Sequence, residues 1–166
     1  MKILGIDPGL ATTGYGIINV EGSKLSTIDY GIITTPADKK LPERLEIIAS
    51  AFKKILTDHQ IDEVAVEELF FNNNAKTALA VAQARGIYLL IAQASKIPIE
   101  SYTPSQIKAG ISGYGQASKP QVQYMVQKLL NLKEKPKPDD AADALAIAIC
   151  HNNSRTTNKA LQATPQ

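Results

Sequence analysis

The hydrophobic pattern changes period once, between Thr35 and Pro42, and that change limits the fold more than any other feature. Before it, apolar residues run in short blocks or alternate. Ile3 to Ile6 forms an apolar block that stops at Asp7, and Pro8-Gly9 makes a turn. Tyr15 to Val20 alternates, Glu21-Gly22-Ser23 turns the chain, and Leu25 to Thr35 follows. Three strands joined by short turns predict an antiparallel meander. From Pro42 to His59 the apolar residues Leu45, Ile48, Ala49, Phe52, Ile55 and Leu56 recur at three and four, the spacing of an amphipathic helix.

Elements then alternate. Ile61 to Glu67 reads as a strand centred on Val64-Ala65-Val66, Ala75 to Lys96 as a long helix, and Ile97 to Tyr102 as a short strand. Pro104 to Ile111 and Ser118 to Leu132 read as helices, the second with Ser118 as N-cap and Pro120 in its first turn. Gly110, Gly113 and Gly115 loosen the stretch between them, and a Pro/Lys loop spans 133–138. Asp139 caps a last helix through His151, and the polar stretch from Asn152 to Gln166 is expected to be disordered. This order predicts one α/β domain over 1–151, a mixed central sheet with helices on both faces. The Ala75 helix is apolar on more than one face, so it needs cover on both sides, and a second subunit could supply one of them.

No apolar run is long enough to span a bilayer, and the N-terminus meets Asp7 too soon for a signal peptide. The single cysteine, Cys150, sits in an apolar run and reads as core. A cytoplasmic location is expected. Charge is uneven. Residues 101–137 hold six lysines against Glu134, a net +5, while the whole chain is +2, so the remainder is −3. A lysine-rich stretch beside an acidic one suits a polyanion and a cation together, although lysines also serve plain solubility.

Asp7 and Glu67 each close an apolar strand, where sites form in open sheets. Asp140 and Asp143 are three apart on one helix and can face the same way. Asp7 also suits a turn, Glu67 or Glu68 a solvated strand end, and Asp139 a helix cap. Asp143 lies among alanines and leucine, so it needs a partner. Clustered carboxylates repel and lose solvation, and a divalent cation resolves both. Oxygen-only ligands favour Mg²⁺ or Mn²⁺, and two such ions about 3.5–4 Å apart can activate water and stabilise a leaving oxygen.

Gly5-Ile6-Asp7-Pro8-Gly9 with Thr13-Gly14-Tyr15-Gly16, Val66-Glu67-Glu68-Leu69-Phe70, Ala82-Gln83-Ala84-Arg85-Gly86 and the run from Asp139 to Ala148 fall in one order. Together these motifs resemble the RuvC family of Holliday-junction resolvases over residues 3–151. The resemblance implies a ribonuclease H-like fold and a homodimer that nicks four-way junction DNA symmetrically with Mg²⁺ or Mn²⁺, leaving 5′-phosphate and 3′-hydroxyl ends. It implies work beside a branch-migration complex of RuvA and RuvB type. By motif position it assigns Asp7, Glu67, Asp140 and Asp143 as catalytic metal ligands, Lys119 and Lys108 as basic residues of DNA processing, and Phe70 as an aromatic engaging junction bases. Lys76 and Arg85 are candidates for phosphate contact, and Arg85 equally for pairing within a dimer. An Asp-x-Gly turn also occurs in ribonuclease H-like ATPases, which need a second domain around the nucleotide.

Overall fold

The computed structural model describes the backbone of residues 1–68 and 75–163 and the side chains of residues 1–68 and 78–155. Strands β1 (Lys2–Asp7), β2 (Thr12–Glu21) and β3 (Lys24–Thr34) form the expected antiparallel meander. Helix α1 (Leu41–His59) crosses to β4 (Glu63–Glu67), and α2 (Ala75–Ala94) crosses to β5 (Ile99–Tyr102). Both new strands run parallel to β1, giving the sheet order β3-β2-β1-β4-β5. Helices α3 (Pro104–Ser112), α4 (Lys119–Leu129) and α5 (Asp139–Ala163) complete the chain.

The two faces of the sheet separate by strand alternation. Leu4, Ile6, Ile17, Val64 and Val66 point to one side and pack with Ile48, Phe52 and Leu56 of α1 and Tyr88 of α2. The Tyr88 ring meets Phe52 edge-on, centroids 4.9 Å apart. Ile3, Ile18 and Ala65 point to the other side, under Ile107 of α3, Val126 of α4 and Leu145 and Ile149 of α5. Cys150 lies in this second core as a free, buried thiol, and burial raises its pKa.

At three glycines helix α5 approaches the sheet backbone with no side chain between them. Gly5 and Gly16 are register partners, as are Asp7 and Gly14. A Cβ on Gly5 would sit 2.0 Å from the Ala144 carbonyl oxygen, one on Gly16 2.7 Å from the Leu145 nitrogen, and one on Gly14 1.9 Å from the Asp140 carbonyl oxygen. Only hydrogen fits at these three places. The glycines therefore set the height of α5 over β1 and β2.

Two expectations change. Helix α5 does not end at His151 but runs to Ala163. Tertiary anchors carry it on: Asn153 donates to the Gly110 carbonyl at 2.8 Å, and Arg155 pairs with Glu63 at 2.9 Å. His151, which precedes them, is buried between Tyr102 (Nδ1 to Oη 2.8 Å) and Glu63 (Nε2 to Oε2 2.8 Å). Helix α4 stops at Leu129 rather than Leu132, after starting where expected: the Gln121 side chain accepts the Ser118 backbone N–H at 2.8 Å.

Replacing Gly14 with Ala is expected to lift the α5 N-terminus, destabilising the protein by about 1–3 kcal/mol or more. Urea denaturation measures this; an unchanged midpoint would contradict the packing argument.

Candidate active site

Parallel pairing of β1 and β4 sets Gly5 beside Ala65 and Ile6 beside Val66, so the next residues, Asp7 and Glu67, close neighbouring strands at the same edge. Both follow the alternation that carries Gly5 and Ala65, which turns their side chains toward α5. The first turns of α5 bring Asp140 and Asp143 over the same strand ends. Asp143 is the only residue from Ala141 to His151 that is not buried. Glu67 faces the cleft while Glu68 is exposed, which decides between the two acids.

The electrostatics are those of acids held together without a cation. Asp7 is pushed up from 3.8 to about 8, first by burial, then by the charges of Glu67, Asp143 and Asp140, and it shares a hydrogen bond with Glu67. Burial also raises Glu67, against the opposing hydrogen bond from Asp7 and the nearby charge of Lys108. Asp143 is raised because burial outweighs its pairing with Lys119. A cleft of about 250 Å³ opens here, lined by Glu67, Lys108, Lys119, Val122, Asp143 and Ala146 among others. Lys119 is the first residue of α4, and its Nζ lies 2.9 Å from Asp143 Oδ2 and 3.3 Å from Asp139 Oδ2. Those partners raise the Lys119 pKa, the hydrogen bond to Asp143 most, so the ammonium is retained.

Oxygen donors alone fit a hard divalent cation such as Mg²⁺ or Mn²⁺. Two features support the fit: burial and neighbouring carboxylates push Asp7 up to about 8, a shift a bound cation would reverse, and Lys119 already supplies positive charge to Asp143. Among the described residues, no three acidic, histidine or cysteine side chains are drawn tightly enough to hold an ion as they stand. The carboxylates must close in when an ion binds.

Supporting roles emerge that the sequence did not assign. Thr13 is fully buried behind Asp7: its hydroxyl donates to the Gly9 carbonyl at 2.7 Å and accepts from the Tyr88 hydroxyl at 2.8 Å. This fixes the turn after β1. Burial and the nearby Asp7 keep Tyr88 protonated. Arg85 donates through Nε to the Glu67 carbonyl at 3.1 Å and through Nη2 to Ser101 Oγ at 2.6 Å. Those two donors are therefore used within the chain, to hold the end of β4. Phe70 and the Lys76 side chain lie outside the described residues. His151 belongs to the Tyr102–Glu63 cluster at the start of β4, not to the cleft.

A five-stranded mixed sheet with acids at adjacent strand ends and on the helix crossing them defines the ribonuclease H-like class of nuclease folds. The model of the crossover junction endodeoxyribonuclease RuvC family matches residues 3–151, and the chain belongs to that family. It is 53% identical over 162 residues to the RuvC of Clostridioides difficile, covering 98% of this chain and 96% of that one. Identity to the RuvC of Alkaliphilus oremlandii is 57% over 151 residues, 91% of this chain and 92% of that one. Thermus thermophilus RuvC in complex with Holliday junction substrate superposes with a TM-score of 0.90 at 34% identity, covering 95% of this chain and 96% of that one.

The raised acids predict a pH signature. A carboxyl whose pKa is higher in the folded chain favours folding at low pH, and that contribution is lost as pH rises from 3.8 through about 8. Without divalent ions, Asp7→Asn should therefore unfold at higher urea than wild type at pH 8, by about 1 kcal/mol or more. The gap should shrink toward pH 5. A variant less stable than wild type in EDTA at pH 8 would contradict this electrostatic reading.

Proposed function

We propose that this chain resolves four-way DNA junctions by paired, symmetric, metal-dependent nicks. The convergence of Asp7, Glu67, Asp140 and Asp143 at one sheet edge carries the reading. Membership of the crossover junction endodeoxyribonuclease family supports it, as does the Thermus relative bound to a Holliday junction. The nuclease unit is residues 1–151, with the α5 extension packed against it.

Asp7, Glu67, Asp140 and Asp143 would hold Mg²⁺ or Mn²⁺, two ions per site. When bound, such ions supply charge for the scissile phosphate and lower the pKa of water. The chain's own groups do the rest. Lys119 donates to the phosphate or to the departing oxygen from the rim of the cleft. Lys108, across the cleft beside Glu67, holds the DNA backbone. Arg85 acts by steadying the Glu67 backbone. By its position in the Glu67 motif, Phe70 is proposed to stack on an unpaired junction base, a contact worth roughly 1–3 kcal/mol, and Lys76 is a proposed phosphate contact.

A homodimer brings two sites to opposed strands of a two-fold junction. Helix α2 offers the surface. Leu79, Gln83, Gly86 and Leu90 follow a 4-3-4 spacing, so they share one stripe, and all four are exposed. Leu79 and Leu90 are 64% and 65% exposed, which a solitary helix face does not require. A branch-migration complex of RuvA and RuvB type is the proposed partner, and the cytoplasm the proposed location. No helix among the described residues is long and apolar enough to cross a membrane.

The test uses a labelled synthetic four-way junction and a matched duplex with Mg²⁺, Mn²⁺ or EDTA, the cuts mapped on a denaturing gel. Paired nicks on opposed junction strands, absent from the duplex and in EDTA, are expected. Asp7→Asn should abolish cleavage while keeping junction binding. Full activity in that variant would overturn the site. Leu90→Glu should convert the dimer to a monomer by light scattering, and a persistent dimer would move the interface elsewhere.

A further inference from the structure

Lys119 is held by two carboxylates that have different prospects. Asp143 lies in the acidic cluster and lines the cleft. Asp139 is exposed, stands outside the cleft lining, and is not among the four acids assigned to the metal. Yet it is firmly placed. One oxygen meets Lys119 Nζ at 3.3 Å, and the other accepts from Gln123 Nε2 at 3.0 Å. Lys119 and Gln123 are four apart on α4, so one helix face presents both partners to Asp139.

A divalent cation on Asp143 would stand close to the Lys119 ammonium, which lies 2.9 Å from Oδ2, and the repulsion between the two like charges would weaken the Lys119–Asp143 contact. A second carboxylate within reach would then favour the lysine's moving away from the metal. Asp139 is already in contact with the same Nζ, one helical turn before Asp143. An exposed Lys–Asp pair contributes little to stability, so its value at the cleft rim lies elsewhere.

We propose that Asp139 is a positioning residue that receives Lys119 when Asp143 turns to the metal, keeping the ammonium at the cleft rim and off the ligand. This rests on the metal-site reading above. Without Asp139, Lys119 retains only Asp143, and the metal must displace it. Loss of Asp139 therefore weakens metal binding through Lys119 and not otherwise.

The experiment is a Mn²⁺ titration of the full chain without DNA, followed by the free-Mn²⁺ signal in electron paramagnetic resonance. The proteins are wild type, Asp139→Asn, Asp139→Glu, Lys119→Met, the Lys119→Met/Asp139→Asn double variant, and Asp7→Asn. Asp139→Asn should weaken Mn²⁺ binding at least about threefold, Asp139→Glu should restore it, and Asp139→Asn should add nothing in the Lys119→Met background. Equal weakening in both backgrounds would reduce Asp139 to a distant charge and overturn the handover, as would wild-type binding in Asp139→Asn. Wild-type binding no tighter than that of Asp7→Asn would instead overturn the metal site, and the handover with it. Circular dichroism confirms that each variant is folded, and both Asp139 variants keep a side chain able to accept from Gln123.

Discussion

The backbone of α5 lies directly on β1 and β2, and the geometry of the cleft depends on how closely it lies. Gly5, Gly14 and Gly16 leave no side chain in the way, so the Asp140 and Ala144 carbonyls approach the strands themselves. That contact sets Asp140 and Asp143 over the strand ends that carry Asp7 and Glu67. Near its middle α5 is tied down by His151 and Arg155 to Glu63, the first residue of β4. Glu63 and Glu67 bound the same five-residue strand. The helix is thus pinned at both ends of β4, and the acids inherit their positions from backbone packing.

The price of that placement is electrostatic. Four carboxylates crowd a half-buried edge, and burial with mutual repulsion leaves Asp7 holding a proton well above its ordinary range. A fold under stability alone would not gather them. Lys119 offsets part of the repulsion, and the Thr13–Tyr88 pair and Arg85 brace the backbone on which two of the acids stand. The arrangement is a frustrated site that a hard divalent cation would relieve, and such local conflict in a sequence is expected at functional sites.

Much of this was legible beforehand. The change of period after Thr35 separated the meander from the alternating half, and Asp7 and Glu67 ended apolar runs because the strands end there. Asp143 stood out as an acid within a buried helix. What was not legible is what adjacency creates. Arg85 read as a phosphate contact or a pairing residue within a dimer, and in the fold two of its donors meet the Glu67 carbonyl and Ser101. Asp139 looked like a cap until α4 delivered Lys119 and Gln123 to it. The stretch beyond His151 is polar enough to read as disordered, and contacts to Glu63 and the Gly110 carbonyl, distant in sequence, hold the helix as far as Arg155. Local pattern reports periodicity and charge; partners more than a hundred residues apart, such as Gly14 and Asp140, are beyond it.

The central claim is that the four acids form one divalent-metal site. Anomalous scattering from crystals soaked in Mn²⁺ tests it most directly. The account predicts manganese peaks within ligating distance of Asp7, Glu67, Asp140 and Asp143, with those carboxylates drawn inward. Manganese bound elsewhere on the chain, with the acidic edge empty, would contradict it.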